Sequence, residues 1–159
     1  MGNLQDISHF FRRLKGSRVV IVGMGNELRG DDGVGVLVTK VLARRGLKEK
    51  VVEAGSNPEL FVSKILSLNP EVVVFVDAVD GGLAPGEVVL VRITAGSSDV
   101  TALSTHSIPL PIVAEMIGVP CYLLGIQVGA VDVGSSITPR VREAGLQLAE
   151  LLARELREG

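Results

Sequence analysis

Short apolar runs alternate along this chain with longer stretches in which apolar residues recur at helical spacing. The runs are rich in β-branched residues and predict buried strands at 18–22, 50–55, 72–76, 88–93 and 121–131. Helical spacing predicts helices at 32–43, 58–68, 109–118 and from residue 139 onward, with Asn57 capping the second of these. Strands that alternate with helices predict an α/β fold: a three-layer sandwich with a mostly parallel five-stranded sheet between helices.

Two segments depart from this alternation. No helix separates the third and fourth predicted strands, so we expect the fourth strand to pair antiparallel or to lie at an edge of the sheet. The N-terminal stretch "LQDISHFFRRL" predicts an added helix outside the core. We therefore expect an N-terminal extension over residues 1–17 and a single α/β domain over 18–159.

Composition narrows the class of protein. A single cysteine, Cys121, excludes an intramolecular disulfide framework and a multi-cysteine metal site within these 159 residues. A net charge of -2 and an aromatic content of 3% give no reason to expect nucleic acid as a partner. No apolar run approaches the roughly 20 residues needed to cross a bilayer, and the N-terminus lacks the residue order of a secretory signal. We expect a cytoplasmic monomer without membrane insertion.

The stretch "VVIVGMGNELRGDDGVGVLV" has the layout of a phosphate-binding loop, with a strand, a glycine-rich turn and a helix. Asp31 and Asp32 occupy the positions where such a loop carries Lys and Ser or Thr, so the cation that neutralises a triphosphate is missing. The dinucleotide fingerprint that begins at Gly23 has Leu28 in place of its third glycine. Charge and spacing therefore disfavour both nucleotide interpretations.

Three polar side chains are predicted to meet at one edge of the sheet. Asp77 follows the third predicted strand, and ligands of open α/β sheets bind beyond the carboxyl ends of the strands. Asp32 should reach the same crevice, and His106 lies in the polar loop after the fourth strand. Two carboxylates and an imidazole would form a metal site with open positions, suited to Ni, Zn, Mn or Fe(II). The simpler interpretation is that Asp31 and Asp32 only stabilise a helix start and that His106 is a surface residue.

The blocks "GMGNELRGDDGVG", "FVDAVDGGLAPGEV", "STHSIPL" and "LLGIQ" occur in that order and resemble the maturation endopeptidases of NiFe-hydrogenases. The glycine-loop block and the block after the third strand most resemble the branch that serves group 4, formate-hydrogenlyase-type enzymes. The resemblance runs from about Val19 to the last helix. It leaves the N-terminal extension without a role, and we treat His9 in that extension as a surface residue.

The resemblance implies an endopeptidase, aspartic-type by family classification, whose partner is a hydrogenase large-subunit precursor. Such enzymes remove a C-terminal extension from the precursor after nickel insertion. The family's metal-binding positions fall on Asp32, Asp77 and His106. The implied metal is nickel supplied by the substrate, for which other divalent metals can substitute. The family fold is a twisted five-stranded sheet between helices, in agreement with the pattern above.

Peptide hydrolysis needs a polarised carbonyl, an activated water and a protonated leaving amine. The sequence suggests no Ser/His/Asp set, and Cys121 opens a predicted buried strand, which disfavours a thiolate nucleophile. We therefore list Asp32, Asp77, His106 and Asp31 as catalytic candidates, with Asp31 as the general base or else only a helix cap.

Two alternative functions from other classes of protein can be compared with the endopeptidase. A phosphoacceptor receiver domain would need a lysine after the fifth strand, where this chain has Val128 and Gly129. A non-catalytic nickel-binding maturation factor or scaffold could use the same three ligands.

Overall fold

A computed structural model describes residues 3–95, 109–129 and 134–157 of the chain. The strands are Val19–Met24 for β1, Val51–Gly55 for β2, Val72–Val79 for β3, Val88–Ile93 for β4 and Cys121–Gln127 for β5. These five strands form one sheet in the order β2-β1-β3-β5-β4. Strands β1, β2, β3 and β5 run parallel, and β4 pairs antiparallel with β5 at the edge, as predicted.

Helices cover both faces of the sheet, which confirms the three-layer α/β prediction. The helix bounds are Leu4–Arg13 for α1, Val34–Leu42 for α2, Val62–Ser67 for α3, Leu110–Ile117 for α4 and Pro139–Arg157 for α5. Residues of α1, α2 and α5 share one apolar cluster on one face, and residues of α3 and α4 share a second cluster on the other. The central strands β1 and β3 are buried at every position because both faces are covered.

Several predicted boundaries are corrected by backbone geometry. The predicted helix at 32–43 begins instead as a 3-10 turn over Gly30–Gly33, and α2 starts at Val34. The predicted third strand continues through Val79, so Asp77 lies inside β3 rather than after it. Asn57 makes no side-chain capping hydrogen bond, and the segment after it opens as a 3-10 turn over Pro58–Phe61.

The N-terminal helix is not outside the core, contrary to the prediction. Ile7, Phe10 and Phe11 on α1 are buried and belong to the apolar cluster that includes α5. The ring of Phe10 also packs edge-on against Tyr122, with centroids 4.8 Å apart. The spacing of Ile7, Phe10 and Phe11 marks an apolar face on α1 but not the surface that covers it, because that surface lies on α5, more than a hundred residues away along the chain.

A buried carboxylate joins α1 to α5. Glu155 accepts a hydrogen bond from the Ser8 hydroxyl at 2.9 Å, and the Nε atom of Arg12 lies 3.4 Å from the same oxygen. Burial alone would raise the pKa of the Glu155 carboxyl. The hydrogen bond from Ser8 and the guanidinium groups of Arg12 and Arg154 outweigh burial and hold the pKa below its ordinary value of 4.5.

We expect the free energy of unfolding to fall in acid partly through Glu155. A carboxyl whose pKa is lowered by folding contributes stability above its unfolded pKa, and that contribution is lost as pH falls through the folded pKa. Glu155→Gln should therefore lose less melting temperature than wild type between pH 5 and pH 3, measured by circular dichroism. Glu150→Gln, on the exposed side of the same helix, is the control; equal slopes for all three proteins would contradict this assignment.

Close approach of α2 to the sheet places the glycine loop over the ends of β1 and β3. A Cβ atom on Gly35 would lie 2.1 Å from the carbonyl oxygen of Val76 and 2.4 Å from that of Met24. The first turn of α2 therefore rests directly on the backbone of both strands. This contact brings Asp31 and Asp32, just before α2, to the end of the sheet where the parallel strands terminate. We call this end the carboxyl edge.

None of the helices in the described part of the chain has the length and apolar character that a membrane span requires.

Candidate active site

The turn after β1 depends on the backbone of Gly25. Its φ angle is +123°, a conformation that side chains with a Cβ rarely adopt. A Cβ atom here would lie 1.9 Å from the carbonyl oxygen of Asp32 and 3.7 Å from Oδ1 of Asp77. Only glycine fits at this position, because the backbone of Asp32 packs directly against the turn, with Oδ1 of Asp77 close by. The Gly25 amide also donates to the carbonyl of Gly55, which ties the turn to the end of β2 at 2.9 Å.

The carboxylates of Asp32 and Asp77 both lie at this turn. Oδ2 of Asp32 accepts a hydrogen bond from the Asn26 amide at 3.0 Å. Oδ1 of Asp77, beside Gly25, accepts from the Ala78 amide at 2.8 Å. Both residues are buried, at 6% and 1% relative exposure. The structure therefore brings together two of the residues that the sequence selected, from β3 and from the loop before α2.

Asp31 faces a different part of the molecule. Its carboxylate accepts from the Gly129 amide at 2.7 Å, the Thr138 amide at 2.6 Å and the Thr138 hydroxyl at 3.0 Å. Thr138 directly precedes α5, so Asp31 lies at the positive end of that helix. The prediction that Asp31 caps the helix following it is wrong. Its fully buried carboxylate instead joins the glycine loop to the connection between β5 and α5.

Gln127 was not among the candidate residues predicted from the sequence. It is buried at the end of β5, and its Oε1 accepts from the amides of Gly81 at 2.8 Å and Leu83 at 3.3 Å. Its Nε2 donates to Oδ1 of Asp80 at 3.2 Å. The side-chain amide thus holds the turn after β3. The available signal was a polar side chain that ends an otherwise apolar strand.

The third predicted ligand, His106, lies outside the described residues, so its assignment stays a prediction. Within 3–95, 109–129 and 134–157, no three His, Cys, Asp or Glu side chains gather into a complete metal site. The two carboxylates at Gly25 therefore need a further ligand from elsewhere to complete a three-ligand set. His9 is exposed on α1.

Cys121 is unsuited to act as a nucleophile. Its side chain is buried at the start of β5, at the opposite end of that strand from the carboxyl edge. Burial raises the pKa of the thiol to about 11, and the positive charge of Arg92 offsets this only in part. The thiol is thus protonated at neutral pH, which agrees with the expectation from the sequence.

The carboxyl edge offers two carboxylate groups, on Asp32 and Asp77, whose oxygens can act as metal ligands and which hydrogen bonds from backbone amides hold in place. Carboxylate oxygens at a glycine turn can bind a divalent cation. Such an arrangement favours a cation-bearing guest over a phosphate, since the loop carries acids where a phosphate site needs a base.

Comparisons with known proteins identify the family to which this chain is similar. The profile of the family described as HycI, hydrogenase maturation protease, matches residues 36–155. The hydrogenase 3 maturation protease of Escherichia coli K12 is 32% identical over 130 residues, which cover 79% of this chain and 82% of that protein.

Solved structures place the fold in the same group. The crystal structure of a [NiFe] hydrogenase maturation protease, HycI from Thermococcus kodakarensis KOD1, is similar with a TM-score of 0.80 and 35% identity. That match covers 94% of this chain and 99% of the solved one. The hydrogenase maturating endopeptidase HybD from E. coli has a TM-score of 0.68 at 21% identity, over 89% and 93% of the two chains, and shares the fold.

Proposed function

This chain belongs to the hydrogenase maturation protease family, and from that premise we propose that it removes the C-terminal extension of a NiFe-hydrogenase large-subunit precursor after nickel insertion. Membership supports a peptidase that acts in hydrogenase maturation. The single observation that carries the proposal is that Asp32 and Asp77 lie at one turn of the carboxyl edge: the Asp32 carboxylate accepts from the Asn26 amide, and Oδ1 of Asp77 lies beside Gly25, the preceding residue.

Nickel enters this proposal as part of the substrate. The precursor carries the ion, and Asp32, Asp77 and His106 are the proposed residues that recognise it; other divalent metals can substitute. The described residues support such a guest because the carboxylates of Asp32 and Asp77, which lie at the same turn, can supply oxygen ligands. His106, which lies outside the described residues, would supply the nitrogen ligand.

Recognition of the ion would act as a checkpoint. A precursor without nickel lacks the group that the carboxylates bind, so its peptide is not held at the carboxyl edge. When nickel is bound, the adjoining peptide lies along the crevice, and a water there attacks the scissile carbonyl. Catalytic power would come largely from positioning, because the site holds the ion, the peptide and the water together.

The identity of the general base stays a prediction. A carboxylate that ligates a metal tightly is not free to take a proton, so Asp32 and Asp77 are poorly suited to both roles. Asp31 was predicted as the base, but both of its oxygens accept hydrogen bonds from Gly129 and Thr138. These contacts support a role for Asp31 in positioning the loop.

We expect the purified protein to shorten a nickel-loaded large-subunit precursor by one C-terminal peptide, observed as a mass loss in intact-protein mass spectrometry. The same precursor without nickel should remain full length, because the recognised ion is absent. This pair of reactions also tests the alternative of a non-catalytic nickel-binding scaffold. Stable binding of the loaded precursor with no mass loss would favour the scaffold and contradict the protease proposal.

A further inference from the structure

Large apolar side chains are exposed at the carboxyl edge, where Asp32 and Asp77 lie. Three lie on the loops that follow successive parallel strands: Leu60 after β2, Leu28 after β1 and Leu83 after β3, at 76%, 73% and 38% exposure. Ile112, half-exposed in the first turn of α4, lies at the same edge because α4 runs from this edge toward the start of β5. We call these four residues the apolar rim.

Hydrogen bonds hold the backbone of the rim in place. The Leu28 amide donates to Oδ1 of Asn26 at 2.9 Å, and the Leu28 carbonyl accepts from Gly134 at 2.7 Å. The Leu83 amide donates to the buried Gln127, and the Leu60 amide donates to the Asn57 carbonyl at 3.0 Å. Apolar side chains on a fixed backbone lose little conformational freedom when a partner covers them. Such a surface is suited to binding.

The charge at the two ends of the sheet is unequal. At the carboxyl edge, acidic side chains outnumber the basic Arg29, Lys40 and Arg140 among the described residues: Glu27, Asp31, Asp32, Glu59, Asp77, Asp80 and Glu87. Lys40 pairs with Glu27 at 2.6 Å, and Asp31, Asp32 and Asp77 are buried. At the opposite end, basic side chains outnumber Glu49 and Glu71: Lys15, Arg18, Arg44, Arg45, Lys48 and Lys50. The apolar rim therefore lies at the acidic end of the sheet, although the whole chain has a net charge of only -2.

We infer that the apolar rim is the docking surface for the large-subunit precursor and that it binds an apolar segment flanked by basic residues. This inference rests on the proposed function, because that function places the scissile peptide beside Asp32 and Asp77. Apolar side chains supply affinity, and the negative charge at this end of the sheet selects a cationic guest over an acidic one. The rim lies at the same edge of the sheet as Asp32 and Asp77, so a chain bound on the rim is close to both carboxylates.

A triple variant tests this surface: Leu28→Ser, Leu60→Ser and Leu83→Ser together. The control is the double variant Leu66→Ser and Met116→Ser, which removes exposed apolar side chains near the far ends of α3 and α4. Binding of nickel-loaded precursor is measured by calorimetry, and KM and kcat by the mass assay. We expect the triple variant to raise Kd and KM by about tenfold or more, with kcat nearly unchanged. The control should match wild type, and melting temperatures should show that all the proteins are folded.

The other possible outcomes separate the proposed docking surface from the proposed protease function. If wild type cleaves and the triple variant keeps the wild-type KM and Kd, the rim is not the docking surface and the protease function stands. If wild type binds without cleaving and the triple variant binds weakly, the rim stands and the protease function fails. If wild type does not bind the precursor at all, both fail. A rim that is covered by a second copy of the chain would appear as a dimer that the triple variant dissociates, and that result would also overturn the inference.

Discussion

Asp77→Asn should abolish processing of a nickel-loaded precursor, with a loss in kcat/KM of about a thousandfold or more. The substitution is nearly isosteric and keeps an oxygen that can accept from the Ala78 amide, so β3 should remain intact. It removes the negative charge that the proposed site uses to hold a divalent cation beside Gly25. The rate of mass loss in the processing assay measures the effect, and circular dichroism checks the fold.

Asp80→Asn is the matched control for Asp77→Asn. Asp80 lies three residues further along the chain at the same acidic edge. Oδ1 of its exposed side chain accepts a hydrogen bond from Nε2 of Gln127, which the side-chain oxygen of asparagine can also accept. If the edge needs only general negative charge, both variants should lose similar activity. If Asp77 is a specific ligand, Asp80→Asn should process within about threefold of wild type. Undiminished processing by Asp77→Asn would refute the role of the carboxylate cluster.

Asp31→Ala should lower the free energy of unfolding by about 3 kcal/mol or more. The substitution removes the carboxylate that accepts from the amides of Gly129 and Thr138, and a hydrogen bond to a charged group contributes about 1.5–3 kcal/mol. It also removes a negative charge from the start of α5. Urea denaturation followed by circular dichroism measures the change. Thr138→Val, which removes only the hydroxyl bond to the same carboxylate, should cost about 1 kcal/mol.

The two roles of Asp31 differ in their kinetic signature. If Asp31 positions the loop, the loss of processing in Asp31→Asn should follow the loss of folded protein, and Thr138→Val should reproduce part of it. If Asp31 is the general base, fully folded Asp31→Asn should lose about a hundredfold or more in kcat and the acid limb of its pH profile. Wild-type stability in Asp31→Ala would contradict the positioning role.

Local pattern determined the elements of this fold. An unbroken apolar run predicts a strand covered on both faces, which is why the buried β1, β3 and β5 were found from sequence alone. The missing helix before β4 likewise predicted its antiparallel pairing with β5. Asp32 and Asp77 could be selected because both lie near carboxyl ends of parallel strands, and such ends meet at one edge of the sheet.

Contacts between distant parts of the chain were decided only by the tertiary structure. Asp31 and Asp32 are adjacent in sequence, yet one carboxylate faces Thr138 and the other faces Asn26, because the 3-10 turn before α2 directs them apart. Helix α1 joins the core because α5 supplies the apolar surface and the carboxylate that receive it. Periodicity reports which side of an element is apolar, but it carries no information about which remote surface covers that side.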